Sequence, residues 1–591
     1  MIRASLESAS GERPAFLQKI LVHVKKLSIL LYIGALVYIW NMIGGFGPYA
    51  EHTRVSEHAL MPGLVNVHFN DDVLLLQYIQ GLSSHTGNVR EFVCQNLEEA
   101  SVPCYHQQWA SLVAIKNITA HNSYAVVRAH RSTGVESMLI IVDVEDHDSV
   151  ALAMAFAVYA RRQVYWARDI FFVFVEHGAM GLDAFLSSYH YVRGFGLQGE
   201  GLHVNGGAII GGLVVKTHAH RPLNNPIITI ELNQINGQLP NLDLFNSLVR
   251  ISSRKSPIME PIIYNIHNIL QEVEKNPLLI PLRAMYTQAF IAIEGTHSVM
   301  SKFGVQGLTI GVPSRRLYSL KESTLFVEAS VRTLNNILER FHQSYFMYIL
   351  TSEVNFLSIA YFMPAMAVLL PLVLLAYKEW TEMVVFRVPL SFVLLHIPGL
   401  VVTLAIRIYF AKTVATETSV LALMGILLIP FGLISPLHPL TYSCMRFLLY
   451  LETALLCVSI SLINFSLALA CSVVITPLMI VFTRSVTENR KVLVRTAVNL
   501  ISHPILVIMA VMTVIRPLLL LPEIELDYST VISTFQQMLS EYMVFGSWSL
   551  PLLTFVGTFI WNASLCLASC KSEEYLLASS ENTAEATTET Q

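Results

Sequence analysis

Residues 137–177 read SMLIIVDVEDHDSVALAMAFAVYARRQVYWARDIFFVFVEH. Ser137 to Val144 is a continuous apolar run bounded by polar residues, the pattern of a strand covered on both faces. Asp148 to Arg161 follows, with Val150, Met154, Ala157 and Val158 on one helical face. Asp169 to Val175 is a second buried strand and Gly181 to His190 a second helix, and Ala208 to Val215, Pro226 to Leu232 and Gly307 to Val312 supply further strands. This alternation predicts an α/β domain with a mostly parallel sheet and flanking helices. In such sheets ligands sit beyond the carboxyl ends of the strands.

The residues expected there are Val142 to Asp148, Glu176-His177-Gly178 and Gly295-Thr296-His297. Asp146, Asp148, Glu176, His177 and His297 are the candidate pocket, because borderline to hard cations take Asp, Glu and His, and a carboxylate beside a metal can serve as general base. A charged loop that also caps the next helix is the competing reading for Glu145, Asp146 and Asp148, and Glu176 and His177 admit either. Cys94 and Cys104 could close a disulfide in an oxidising compartment or stand as two separate thiols. Asn117-Ile118-Thr119 is a glycosylation sequon.

Outward from this region the composition changes. Of 591 residues, 53% are apolar and only 14% charged, and the net charge is −4. A soluble cytoplasmic enzyme is a poor fit to such a ratio, and without a basic run nucleic-acid binding has no electrostatic footprint. Residues 27–43 form an apolar run after Arg3, Arg13, Lys19, Lys25 and Lys26, which predicts a signal anchor behind a cytosolic N-terminus (1–26). Residues 51–355 form the expected lumenal α/β domain. Residues 356–568 hold seven further apolar runs: Phe356 to Tyr377, Val388 to Phe410, Ser419 to Ile434, Phe447 to Ile463, Phe465 to Phe482, Ala497 to Ile515 and Phe545 to Ala568. Eight crossings put Lys378, Arg387, Arg446, Arg484, Arg490, Lys491 and Arg495 on the cytosolic side, and Leu521 to Tyr542 in an acidic outer loop. Residues 569–591 read as a disordered cytosolic tail. Glu452, inside a span, is a candidate lipid-binding residue unless it reaches back toward Arg446. Pro551, expected to kink the last span and free a carbonyl, is the other candidate, with a simple packing kink as its rival.

The order strand, acidic loop, helix, strand ending Phe-x-Phe-x-Glu and a following helix resembles the di-zinc aminopeptidase family. The resemblance puts Glu176 at that family's general base and His297 at its late histidine ligand. It also implies a loss: the early His-x-Asp pair falls near Val142 and Val144, the second residue of the Glu-Glu pair is His177, and one ligand-bearing strand end falls in Gly212-Leu213-Val214-Val215. A two-metal site without those ligands cannot activate water. No metal cofactor is therefore expected, beyond a single weakly held ion.

Gln163-Val164-Tyr165-Trp166-Ala167-Arg168-Asp169, Glu176-His177, Asn236-Gly237-Gln238-Leu239-Pro240-Asn241-Leu242-Asp243-Leu244, and Leu338 to Phe346 running into Tyr361-Phe362-Met363-Pro364 resemble the family of GPI-anchor attachment subunits of GPI transamidase. The resemblance implies a non-catalytic subunit in the endoplasmic reticulum membrane. Its partners would be a caspase-like catalytic subunit, other multi-pass subunits, the GPI lipid and a proprotein with a C-terminal signal. The competing functions are a membrane-tethered zinc aminopeptidase and, third, a multi-pass transporter.

Overall fold

The computed structural model describes residues 15–569 apart from 45–48, 57–66, 70, 86, 114–116, 131–133, 219–226, 256–259, 264–277, 314–319, 338–340, 342–346, 384–385, 435–440, 484–488 and 520–527. The tail expected at 569–591 lies outside them except for its first residue. So do residues 1–14, most of the Leu338 to Phe346 motif, and Arg484. The strands are β1 (Glu51–His52), β2 (Cys104–Ser111), β3 (Thr119–Val127), β4 (Glu136–Asp143), β5 (Asp169–Val175), β6 (Leu197–Gly199), β7 (Ala208–His218), β8 (Ile227–Glu231), β9 (Glu260–Ile263), β10 (Gly307–Pro313), β11 (Tyr348–Leu350) and β12 (Asn355–Ser358).

Nine of them form one sheet in the order β6-β2-β3-β5-β4-β7-β10-β8-β9. Its centre, β5-β4-β7-β10, is parallel, and β3, β2 and β6 extend one flank by antiparallel pairing. On the other flank β8 is antiparallel to β10 and parallel to β9. The centre is apolar on both faces because both are covered. Met138, Ile140, Val142, Phe172 and Phe174 share a core with the helix His147–Arg162, while Leu139, Ile141, Phe171 and Val173 share one with the helix Ala179–Tyr189. The result is an α/β domain beside a helical bundle, as the alternation of elements predicts.

A small sheet, β1-β12-β11, joins that domain to the membrane segments. β12 runs into the helix beginning at Ile359, so the boundary expected at 355 falls inside a strand. Among the described residues, seven helices are long and apolar enough to cross a membrane: His23–Gly44, Ile359–Thr381, Leu390–Phe410, Glu417–Ile434, Tyr442–Ser461, Phe465–Phe482 and Ser549–Ser569. The pair Lys491–Ile501 and Pro504–Ala510 is apolar enough when taken together, and it is bent by 65°, as a broken span or a re-entrant loop would be. The break falls where Pro504 cannot continue the preceding helix.

The first helix starts at Ala15, ahead of the apolar run, and its span-length part is His23–Gly44. The acidic outer loop is largely a helix, Tyr528–Phe545, which Gly546 ends with φ +78°. Ile532, Phe535 and Leu539 of that helix join Val420 and Leu423 in one core, so tertiary packing outweighs the polar pattern.

Side-chain bonds mark the two ends of the bundle. Beside the α/β domain, Arg407 lies against Phe195, Asn464 donates to the Gln288 carbonyl (2.7 Å), and Trp548 N–H donates to Asn236 Oδ1 (2.9 Å). At the far end Arg446 pairs with Glu379 (3.0 Å), Tyr450 with Thr483, and Arg495 donates to the Ala568 carbonyl (2.7 Å).

Candidate functional site

The carboxyl ends of β4 and β5 meet the turn at 295–298. A Cβ on Gly178 would lie 3.2 Å from both Asp143 Oδ2 and Thr296 Oγ1. His177 and Gly178 both have positive φ, +59° and +54°, a strained turn of the kind that persists only when its surroundings enforce it. Burial pushes the Asp143 carboxyl up, opposed by the N–H of Glu145, which donates to Oδ1 at 3.1 Å. Asp143 reads in sequence as no more than the end of a strand.

The predicted acidic residues are already engaged. Asp146 caps the helix His147–Arg162 through the Ser149 N–H (3.3 Å), and it also accepts from Thr217 N (2.6 Å) and Thr217 Oγ1 (2.7 Å). It thereby ties the end of β7 to the start of that helix. Asp148 lies in the helix's first turn, where a carboxylate is favoured by the helix dipole. Glu176 accepts from the His121 N–H (2.8 Å) and pairs with Arg90 Nε (2.9 Å). His177 is exposed, its ring edge-on to Trp109.

His297 belongs to a different cluster. It is fully buried, with Nδ1 2.8 Å from Thr309 Oγ1 and Nε2 without a hydrogen-bond partner. Burial, and then the nearby Lys216 ammonium, push its pKa down to about 3, so the ring is neutral. Lys216 Nζ bonds Glu231 Oε1, while Glu231 Oε2 has no partner and would lie 3.0 Å from a Cβ on Gly295. Glu294, half-buried at the surface of this cluster, is pushed up to about 7, first by desolvation and then by Glu231. The bonded partners of Glu176 and those of His297 do not overlap.

This donor set does not fit a pair of zinc ions. Among the described residues no three His, Cys, Asp or Glu side chains are grouped as metal ligands. An ammonium already sits on Glu231, where a dication would need the free carboxylate. Sequence reasoning missed Lys216, Glu231, Glu294 and Arg90. One signal was present: Lys216 is a base placed directly after the apolar run Ala208 to Val215.

The membrane candidates also find protein partners. Glu452 accepts from or donates to His396 Nε2 at 2.9 Å, and it is Glu379, not Glu452, that meets Arg446. The His396 ring stacks on Phe559 at 3.6 Å. Pro551 lies in the first turn of the last span, where a missing N–H costs no bond. The irregularity is instead the π-helical turn Leu552–Gly557 that follows it. Asn117 is exposed next to β3, and Cys94 and Cys104 are joined by a disulfide. Between the domain and the bundle lies an apolar cavity of about 170 Å³, lined by Gly237, Phe290, Ile460, Trp548, Leu552 and Val556 among others.

A family model described as "Gaa1-like, GPI transamidase component" matches residues 119–565. A relative from Schizosaccharomyces pombe, GPI transamidase component gaa1, is 24% identical over 543 residues, which cover 87% of this chain and 89% of the relative. GPI transamidase component GAA1 of Saccharomyces cerevisiae is 23% identical over 466 residues, 74% of this chain and 72% of its own. Among solved structures, LapA aminopeptidase of Legionella pneumophila is 9% identical with a TM-score of 0.32, covering 49% of this chain and 76% of LapA. Porphyromonas gingivalis glutaminyl cyclase is 13% identical with a TM-score of 0.26, covering 46% and 99%.

Proposed function

The chain belongs to the Gaa1-like family of GPI transamidase components, and from that premise we propose that it serves the transamidase without supplying a catalytic residue, by seating lipid and proprotein on a fixed scaffold. The nucleophilic cysteine then belongs to a caspase-like partner. The ethanolamine amine of the GPI lipid attacks the thioester carbonyl on that partner, an amide forms, and the thiolate leaves. Such a step depends on holding the amine within attack distance, and positioning alone accounts for a large share of a barrier of this kind.

One observation carries this reading. The residue that the aminopeptidase resemblance puts at the general base, Glu176, is held by Arg90 and the His121 N–H, and it shares no bonded partner with His297. A carboxylate fixed in this way is a structural anchor. The apolar cavity where the domain meets the spans supports a lipid-facing role at that seam, in place of contacts through Glu452 or Pro551. In this proposal the domain (51–355) faces the lumen of the endoplasmic reticulum, with Asn117 available for glycosylation. Residues 1–26 and 569–591 are cytosolic, and 27–43 and 356–568 cross the membrane.

Affinity purification in mild detergent tests the assembly. The expected result is a caspase-like protease together with other multi-pass subunits, and purification of this chain alone would count against the proposal. Zinc analysis of the same preparation should find far less than one ion per chain. Glu176→Gln should leave transamidation within about twofold, because glutamine still accepts from His121 N–H. Two tightly bound zinc ions, with peptide hydrolysis abolished by Glu176→Gln, would establish the aminopeptidase reading instead.

A further inference from the structure

The segment Tyr191-Val192-Arg193-Gly194-Phe195, just after the helix Ala179–Tyr189, takes no part in the site above. Helices commonly end with glycine in the left-handed position. Here Tyr191 occupies it at φ +55°, with Tyr191 N donating to the Ser188 carbonyl (3.2 Å) and Val192 N to that of Ser187 (2.9 Å). The backbone is strained in a way that holds a tyrosine outward. Tyr191 is 80% exposed, Val192 56% and Phe195 38%. The root of the segment is rigid, since His190 stacks on Phe303 with ring centroids 5.6 Å apart and planes within 9°.

Its position says what covers it. The Phe195 ring lies 3.8 Å from the Arg407 guanidinium carbon, and Arg407 is one turn from the domain-side end of the span Leu390–Phe410. Tyr542 is 6.2 Å from the same ring. Gly196 is pressed so closely against the end of the helix Tyr528–Phe545 that a Cβ there would come within 2.6 Å of Val544 Cα, five residues before the last span begins. The segment is thus level with the ends of two membrane helices. That is the depth at which tyrosine is enriched and arginine reaches to head groups.

We propose that Tyr191–Phe195 is a membrane-surface anchor: Tyr191 and Val192 enter the head-group boundary of the leaflet at which the spans end, and Arg193 meets lipid phosphate. The partner is the bilayer itself. The anchor adds a support in the bilayer itself to the contacts at Asn236 and Asn464, and so fixes the tilt of the α/β domain over the membrane. This inference rests on the membrane reading of the helices and is independent of the transamidase role.

Spin labelling of the full chain in phosphatidylcholine nanodiscs tests it. Nitroxides placed by Val192→Cys and, separately, Tyr191→Cys are compared with Val401→Cys, exposed midway along a span, and with Val73→Cys, exposed on the opposite face of the sheet. The unsubstituted chain supplies the blank for native cysteines. Power saturation should give both loop labels an oxygen-to-nickel-complex accessibility ratio at least threefold above the Val73 label and nearer the Val401 label. A ratio equal to that at Val73 overturns the proposal. Protection of both loop labels from both reagents also overturns it, since the segment would then be covered by protein.

Discussion

Replacing Arg168 with methionine is expected to destabilise the α/β domain by about 2–5 kcal/mol, at about 1–3 kcal/mol for each buried carbonyl left unpaired. Arg168 is 5% exposed. Its Nε bonds Glu136 Oε2 at 2.7 Å, Nη1 donates to the carbonyls of Asn335 (2.7 Å) and Leu334 (3.3 Å), and Nη2 donates to that of Ile337. The guanidinium therefore closes the end of the helix Leu320–Asn335, where carbonyls lack helical partners and the dipole is negative. Methionine matches the stem and supplies no donor, so the carbonyls of Asn335 and Ile337 lose this partner, while that of Leu334 keeps the Ile337 N–H. Hydrogen exchange on the full chain should show loss of protection at 330–337 and along β5. Arg168→Lys should recover only part of it, because an ammonium lacks the planar fork that reaches several carbonyls at once. Protection unchanged to within about 1 kcal/mol would show that the network is dispensable.

The same residue shows what the sequence reveals and what it hides. β4 and β5 are legible because they are apolar on both faces, and the helices between strands announce themselves by period. β2 and β3 are not, since their buried faces carry Gln107, Asn122 and Ser123. Asn122 Nδ2 donates to Gln107 Oε1 and to the Gly181 carbonyl, so polar residues there are core residues satisfied by one another. The candidate pocket is legible as a location and not as an arrangement. Position after a strand end can be read locally, whereas the Arg90–Glu176 and Lys216–Glu231 pairs join residues from separate elements, and nothing local marks a carboxylate as already taken. The spans were visible from apolar length, but the helix Tyr528–Phe545 was not, because its stability comes from packing against other helices.

Gly237→Ala is expected to lower transamidation at least tenfold while the chain still accumulates and still assembles. Asn236-Gly237 reads in sequence as a plain turn signal, yet in the structure this turn is where the domain seats on the bundle. Asn236, at φ +59°, takes the Trp548 N–H just before the last span. Gly237, at φ +73°, faces Asn464, and an added Cβ would stand 2.5 Å from Asn464 Cγ. Asn464 cannot move freely: its Oδ1 caps the span Phe465–Phe482 through Leu467 N (3.0 Å), and its Nδ2 holds the Gln288 carbonyl. Relieving the clash breaks one or both bonds, at about 1–3 kcal/mol for each buried group left unpaired. That loss falls on the contact between domain and spans and not on the core of either, so the proteins should fold while the seating loosens. Gly134→Ala separates this effect from backbone strain. Gly134 has nearly the same φ, +74°, and nothing within 4 Å of an added Cβ. If positioning is what this subunit contributes, the Gly134 variant should keep most of its activity and the Gly237 variant should not. Equal activity in the two would mean that the height and tilt of the domain do not govern the reaction.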